Sequence, residues 1–225
     1  MLRLGSAKND QDYPMARVAK NPEDRRKTLL EAAKRIVENS GADSLSMRTL
    51  AAATGTSPMS AYELFGSKDG LLIELLQARR GDYVRRLAKT AKGSELERFF
   101  YAVELSASEI SENFNFFQAA AFRYFSPAGA EMRKTFSSQR RALVGSLLSK
   151  VEAECDGFKP NLSVKCLAKH VDSLYIGALF HWMVCDGNER QFVRQFGLGC
   201  ALALKGVVHQ RFHRYLDERI EKYST

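Results

Sequence analysis

From Leu29 onward, apolar residues recur at steps of three and four, as in Leu29, Leu30, Ala33, Ile36 and Val37, and no run alternates with period two. That spacing puts the apolar side chains on one face of a helix. β-Hairpin turn dipeptides between strand-like runs are absent as well. A chain patterned this way buries its apolar residues by packing helix on helix, so the predicted fold class is all-α. The first helix is marked at both ends: Asn21 as cap, Pro22 at the first helical position, Glu23 and Asp24 against the dipole, and Gly41 as the stop.

Three short stretches follow, each opened by a serine (Ser46, Ser57, Ser67), the residue type that satisfies free N–H groups at a helix start. Beyond Arg80 the predicted helices lengthen, over 68–91, 95–112, 115–125, 128–155, 162–185 and 189–221. They are separated at Lys92-Gly93-Ser94, Ser126-Pro127, Asp156-Gly157 to Pro160, and Asp186-Gly187-Asn188. Residues 1–20 are polar and non-periodic and read as a mobile arm. The predicted organisation is an arm (1–20), a small helical domain (21–70) and a larger one (71–225), with one helix shared between the two domains.

Composition narrows the function classes. Hydrophobic residues make up 45% of the 225 and charged residues 27%, which is globular rather than disordered. The longest apolar stretch, 174–185, is too short for a bilayer and contains His181, and residues 1–14 have no apolar core of a secretory signal. Cys155, Cys166, Cys185 and Cys200 are far apart with no CxxC pair, and read as reduced core thiols of a cytoplasmic protein. The net charge of +8 is spread along the chain, so it permits an anionic partner without locating one.

The segment Leu50-Ala51-Ala52-Ala53-Thr54-Gly55-Thr56-Ser57 fits a helix-turn-helix. Ala51 is small where two helices cross, and Gly55 four residues on tolerates the positive φ of the turn. Leu50, Ala61 and Leu64 or Phe65 would fill the seam. Such a unit offers the N-terminus of its second helix to the DNA major groove, although any αα-corner can use Ala and Gly in this way. The run Ser46-Met47-Arg48-Thr49-Leu50-Ala51, then Gly55-Thr56-Ser57, then Tyr62, Phe65, Ser67-Lys68 and Leu71-Leu72, strongly resembles the N-terminal domain of TetR-type (TetR/AcrR-like) transcriptional regulators, over roughly residues 24–72. Thr56, Met59 and Leu64 stand where valine, glycine and histidine are frequent in that family. These departures bear on base readout, not on the fold.

The resemblance implies double-stranded DNA as a partner and Arg48, Ser57, Pro58, Met59, Ser60, Tyr62 and Lys68 as the contacting residues. Pro58 and Met59 offer apolar contact, for example to a thymine methyl, and Ser60 offers a hydrogen bond. Tyr62 and Lys68 would take phosphates, and Arg48 either a phosphate or a guanine. The plainer readings are that Tyr62 pads the surface, that Lys68 is a solvated end charge, and that Arg48 pairs with Glu63 or Asp43.

The resemblance also implies a pocket for a small-molecule effector in the larger domain. That domain holds a concentration of aromatics: Phe99-Phe100-Tyr101, Phe114, Phe116-Phe117, Phe122, Tyr124-Phe125 and Phe136. Candidate ligand contacts are Phe100, Glu104, Phe117, Phe122, Arg123 and Tyr175, with core packing as the alternative. Family members dimerise through their last long helices. Here that would engage Leu174, Ala178, Phe196, Cys200 and Leu204, among small residues that allow close approach, with an intramolecular core as the alternative. His209 and His213 lack a third ligand, so no metal is expected. No GxSxG, Walker or GxGxxG sequence is present, so neither catalysis nor a cofactor is expected. The leading expectation is a homodimeric, ligand-responsive DNA-binding repressor with no membrane association. The rivals are a helical protein-interaction module without an operator and an all-α enzyme using the aromatic cavity.

Overall fold

A computed structural model of the chain describes residues 21–41, 44–90, 93–159, 162–185 and 187–225. The predicted arm, together with Asp43, Lys92, Pro160 and Asp186, lies outside the described residues. Those residues form helices without a strand, and no described helix is long and apolar enough to cross a membrane. They divide into two compact units, one ending at Leu75 and the other running Leu76–Thr225.

The first unit contains α1 (Pro22–Ser40), α2 (Met47–Thr54), α3 (Pro58–Phe65) and the opening turns of α4 (Lys68–Thr90). Its helix ends are satisfied by the residues that mark them in the sequence. Asn21 Oδ1 accepts from the Glu23 amide at 3.1 Å. Ser46 and Thr49 cap each other reciprocally, with the Thr49 amide on Ser46 Oγ at 3.0 Å and the Ser46 amide on Thr49 Oγ1 at 2.9 Å. Ser57 Oγ accepts from the Ser60 amide at 3.1 Å, and Ser67 Oγ from the Gly70 amide at 3.1 Å. Gly55 ends α2 in the left-handed region at φ +64°, which turns the chain sharply into α3. Leu29, Val37, Leu45, Leu50, Ala61 and Leu71 are fully buried, each leucine contributing about 1.5–3 kcal/mol on transfer from water. Phe65 closes the seam under the Arg26 guanidinium, 5.4 Å from its ring centroid, and Arg26 is held in turn by Glu74.

The second unit is built from the rest of α4, α5 (Glu95–Glu112), α6 (Phe114–Phe125), α7 (Ala130–Glu154), α8 (Val164–Val184), α9 (Glu189–Val207) and α10 (His213–Ser224). Phe100, Ile110, Leu148, Phe192, Cys200 and Leu204 are buried at its core. Phe192 is packed by Trp182, Tyr175 and Phe196 at centroid distances of 5.4, 5.6 and 5.7 Å, within the range of favourable tilted and edge-to-face ring pairs.

The single helix predicted over 189–221 is two. Val208 is extended (φ −84°, ψ 165°) and ends α9. The run Gly206-Val207-Val208 combines glycine with two β-branched residues, all weak helix formers. The freed Val207 carbonyl is taken up by the Lys159 amide at 2.8 Å. The break folds α10 back along α9, and Gly197 makes room for it: a Cβ there would lie 2.8 Å from the Tyr223 ring. Glu104 of α5 fastens the far end, accepting from Lys222 at 2.6 Å and Tyr223 at 2.7 Å. The cysteines also depart from expectation. All four are free, but only Cys155 and Cys200 are core residues; Cys166 and Cys185 lie on exposed registers at the two ends of α8.

Candidate functional site

Two surfaces, one in each unit, carry side chains that the folding of that unit does not account for. In the first unit the inner face of α3 is spent on the seam, through Ala61 and Phe65. Its outer face presents Pro58, Met59 and Tyr62 to solvent. Met59 is 67% exposed and Tyr62 50%, an uncommon display of large side chains on an eight-residue helix. Ser57 and Ser60 hydroxyls lie 3.1 Å apart and engage each other, so Ser57 serves as the cap and Ser60 retains its remaining hydrogen-bonding capacity. Arg48, at the start of α2, is exposed. No ion pair with Glu63 forms among the described residues, while Asp43 lies outside them. Lys68 is exposed as the first residue of α4. The structure therefore brings all seven sequence-predicted contact residues to the starts of α2, α3 and α4 and to the outer face of α3. This chemistry is apolar contact near the helix start, hydroxyl donors, and two cations.

In the second unit a cavity of about 210 Å³ opens among α4 to α9. Its wall is largely apolar, with Tyr83, Phe99, Phe117, Tyr124, Phe136, Tyr175 and Phe196 as its rings. Polar groups in the wall are mostly committed. Tyr83 donates to the Ala102 carbonyl at 2.8 Å and Ser106 to the Val103 carbonyl at 2.6 Å. The Tyr124 hydroxyl is 3.0 Å from Ser137 Oγ. Arg140 Nε donates to buried Asp172 at 2.5 Å, and its guanidinium stacks 4.9 Å from the Tyr175 ring centroid. Burial works against the Arg140 charge, but Tyr175, Asp172 and Tyr124 outweigh it and raise its pKa above the ordinary value. Burial pushes the Tyr175 hydroxyl up despite the nearby Arg140 cation, so it stays protonated and able to donate.

Of the predicted ligand contacts, Phe117 and Tyr175 line this cavity and the others do not. Phe100 is buried in the core against Phe99, Tyr215 and Tyr223. Glu104 faces α10, Phe122 points to solvent at 55% exposure, and Arg123 is outside the wall. Helix periodicity accounts for the placement of the neighbouring rings: Phe99 and Phe100 are 100° apart, and Phe99 is the one turned to the cavity. The wall also holds Arg79, Arg80, Glu109 and Arg140, which the aromatic pattern does not single out. Their signal was register, since Leu76, Arg80 and Tyr83 share one stripe of α4, and Met132, Phe136 and Arg140 one stripe of α7.

The residues expected at a dimer interface lie inside the single chain. Ala178, Phe196, Cys200 and Leu204 are buried within the single chain, and Leu174 packs where Gly199 lets α9 approach α8. They join α8 to α9 internally. The outward registers carry Gly177, Phe180 and Val184 on α8 and Leu202 on α9. Phe180 is 41%, Val184 38% and Leu202 54% exposed.

Comparison with known proteins bears on the family and the fold. Residues 29–75 match the family model described as bacterial regulatory proteins, tetR family. The chain is 30% identical over 158 residues to the HTH-type transcriptional regulator BetI of Rhizobium meliloti (strain 1021), covering 68% of this chain and 76% of that one. Among solved structures it resembles Thermus thermophilus FadR, a TetR-family transcriptional repressor in complex with lauroyl-CoA. The TM-score is 0.65 at 17% identity, over 81% of this chain and 94% of that one. A transcriptional regulator from Cytophaga hutchinsonii is similar in fold, with a TM-score of 0.63 at 13% identity, over 81% and 98% of the two chains.

Proposed function

The chain belongs to the tetR family of bacterial regulatory proteins, and from that premise we propose that it is a homodimeric repressor released from a near-palindromic operator by a small effector with an apolar or aromatic body. As a transcriptional regulator it acts by binding DNA and is not an enzyme. The observation that carries the DNA reading is the outward display of Met59 and Tyr62 on a helix whose start is capped and whose entry is set by Gly55. Pro58, Met59 and Ser60 meet base edges, and Arg48 takes a phosphate or guanine. Tyr62 and Lys68 bind phosphates, Lys68 with the N-terminal amides of α4 behind it. Few strong base readers are present, so affinity rests on the backbone and falls steeply with salt, and part of the specificity comes from DNA shape.

The outward residues Gly177, Phe180, Val184 and Leu202 support a second copy packed against α8 and α9. A two-fold dimer sets its recognition helices about 34–36 Å apart, which demands a near-palindrome. The cavity is the effector site. Helix α4 supplies Leu71, Leu72 and Leu75 to the first core and Arg80 and Tyr83 to the cavity wall, so occupancy favours one placement of this helix. A hundredfold loss of operator affinity needs about 2.7 kcal/mol of preference by the effector for the released state. The protein works in the cytoplasm, where its operator is.

Capture of sheared genomic DNA on the purified protein, washed at about 150 mM salt, tests this reading. A shared near-palindrome, lost in the Tyr62→Ala/Lys68→Ala double variant, is expected. A folded dimer that enriches no sequence overturns the operator.

A further inference from the structure

The wall of the cavity contains a cation with one buried N–H that no group among the described residues accepts, although Oε1 of Gln139, the residue whose carbonyl it reaches, is itself buried without a donor. Arg80 lines the cavity from α4. Its Nε is buried with no hydrogen-bond partner. Its Nη2 reaches the Gln139 carbonyl only at 3.4 Å, the long limit of a hydrogen bond. No carboxylate pairs with Arg80 among the described residues. The other charged groups of the site show what a satisfied arrangement looks like. Arg140 is held by Asp172 at 2.5 Å, Asp172 by a second arginine, Arg141, at 3.3 Å, and Glu109 by Arg86. Leaving a buried donor of a charged group without an acceptor is unfavourable. Yet Arg80 occupies a register of α4 between Leu76 and Tyr83, where a leucine would complete the wall.

We infer that the effector is a small monocarboxylate whose acid group is held side-on by Arg80, with its apolar body among the rings of the cavity. The inference rests on the reading of this cavity as the effector site. The Nε–H and adjoining Nη–H of a guanidinium form a fork that matches the two oxygens of a carboxylate. A phosphate dianion would call for further cationic donors; Arg140 is already paired with Asp172, and Arg79, the third arginine of the wall, lies over the Phe116 ring at 4.8 Å from its centroid. Size limits the body. The volume of about 210 Å³ equals the liquid share of about seven waters and falls below the roughly 300 Å³ of the smallest drug-sized pockets. One aromatic ring or a short alkyl chain fits that description.

Titration calorimetry with sodium octanoate and sodium phenylacetate, against octanamide and phenylacetamide, tests the inference on the full chain. Each acid is expected to bind at least about tenfold more tightly than its amide, the differential of one charge-assisted bond. Arg80→Met, which keeps the volume and removes the fork, should abolish that preference while leaving amide binding in place. It should also melt no lower than the wild type, since an unmet buried donor is gone. Arg80→Lys keeps the charge without the fork and should lose most of the preference. Amides as tight as their acids, a preference that survives Arg80→Met, or no binding of either acid at about 5 mM would each overturn the inference. A parallel competition with captured operator DNA separates the two readings. An acid that binds without weakening DNA affinity refutes the effector role and leaves the carboxylate site standing. A neutral amide that binds as tightly as its acid and releases DNA does the reverse.

Discussion

The two units set their unusual side chains in opposite places. The first keeps Met59 and the Tyr62 ring outside, where their apolar surface stays in water, and the second draws Arg80, Arg140 and Asp172 inside, where charge is costly. The cores follow ordinary sorting, with Leu29, Leu50 and Ala61 buried in one unit and Phe100, Phe192 and Leu204 in the other, while the second unit also shows Phe122, Phe180 and Leu202 to solvent. Exposed apolar groups and buried charges are the departures that carry information. In this chain one kind points to a surface that another molecule covers, and the other to a cavity that another molecule fills.

The contrast can be broken by substitutions of graded severity. The largest effect is expected at Asp172, since Asp172→Ala strands Arg140 in the interior without its carboxylate and should cost about 3–5 kcal/mol in urea unfolding. Adding Arg140→Met should restore most of that loss, and no restoration would mean the pair is not the cause. Next, Leu50→Ala opens the seam of the first unit and should lower stability by about 2–5 kcal/mol.

A smaller effect concerns pH. Glu104 is half-buried, and although burial alone would raise its pKa, Lys222, Tyr223 and Arg219 hold it below the usual carboxylate range. Its contribution is therefore present above that range and is lost as pH falls through its lowered folded-state pKa. Thermal melts should decline below about pH 4.5 more steeply in the wild type than in Glu104→Gln. The smallest effect on stability is expected at Met59, where Met59→Ala should change unfolding by no more than about 0.5 kcal/mol. The same variant should weaken binding to captured DNA severalfold by gel shift. A loss of stability comparable to that of Leu50→Ala would show that Met59 belongs to the core.

The units also differ in how far their sequences could be read. In the first, local chemistry decides local structure: Ser46, Ser57 and Ser67 cap the helices they precede, and Gly55 adopts the left-handed turn its position requires. Such devices act within four residues, so their spacing is visible along the chain. In the second unit the decisive facts are three-dimensional. Whether Phe99 or Phe100 meets the cavity depends on a rotation of 100° that composition does not reveal. Cys200 and Leu204 suit an internal core and an intermolecular face equally well, and only the burial of α9 against α8 and α10 separates the two. The end of α9 at Val208 had a local signal in Gly206-Val207-Val208, but a weak one beside the apolar periodicity on both sides. Arg80 and Arg140 were legible in principle, as arginines on otherwise apolar registers.

The return of α10 along α9 gives the two units different histories during synthesis. The first unit is complete at Leu75, and it can fold while the rest of the chain is still being made. The second cannot close its core until Tyr223 has emerged to fill the space left by Gly197 and to meet Phe100, 6.1 Å between ring centroids. At roughly 5–20 residues per second, about 7–30 s separate the completion of the first unit's chain from the arrival of Tyr223.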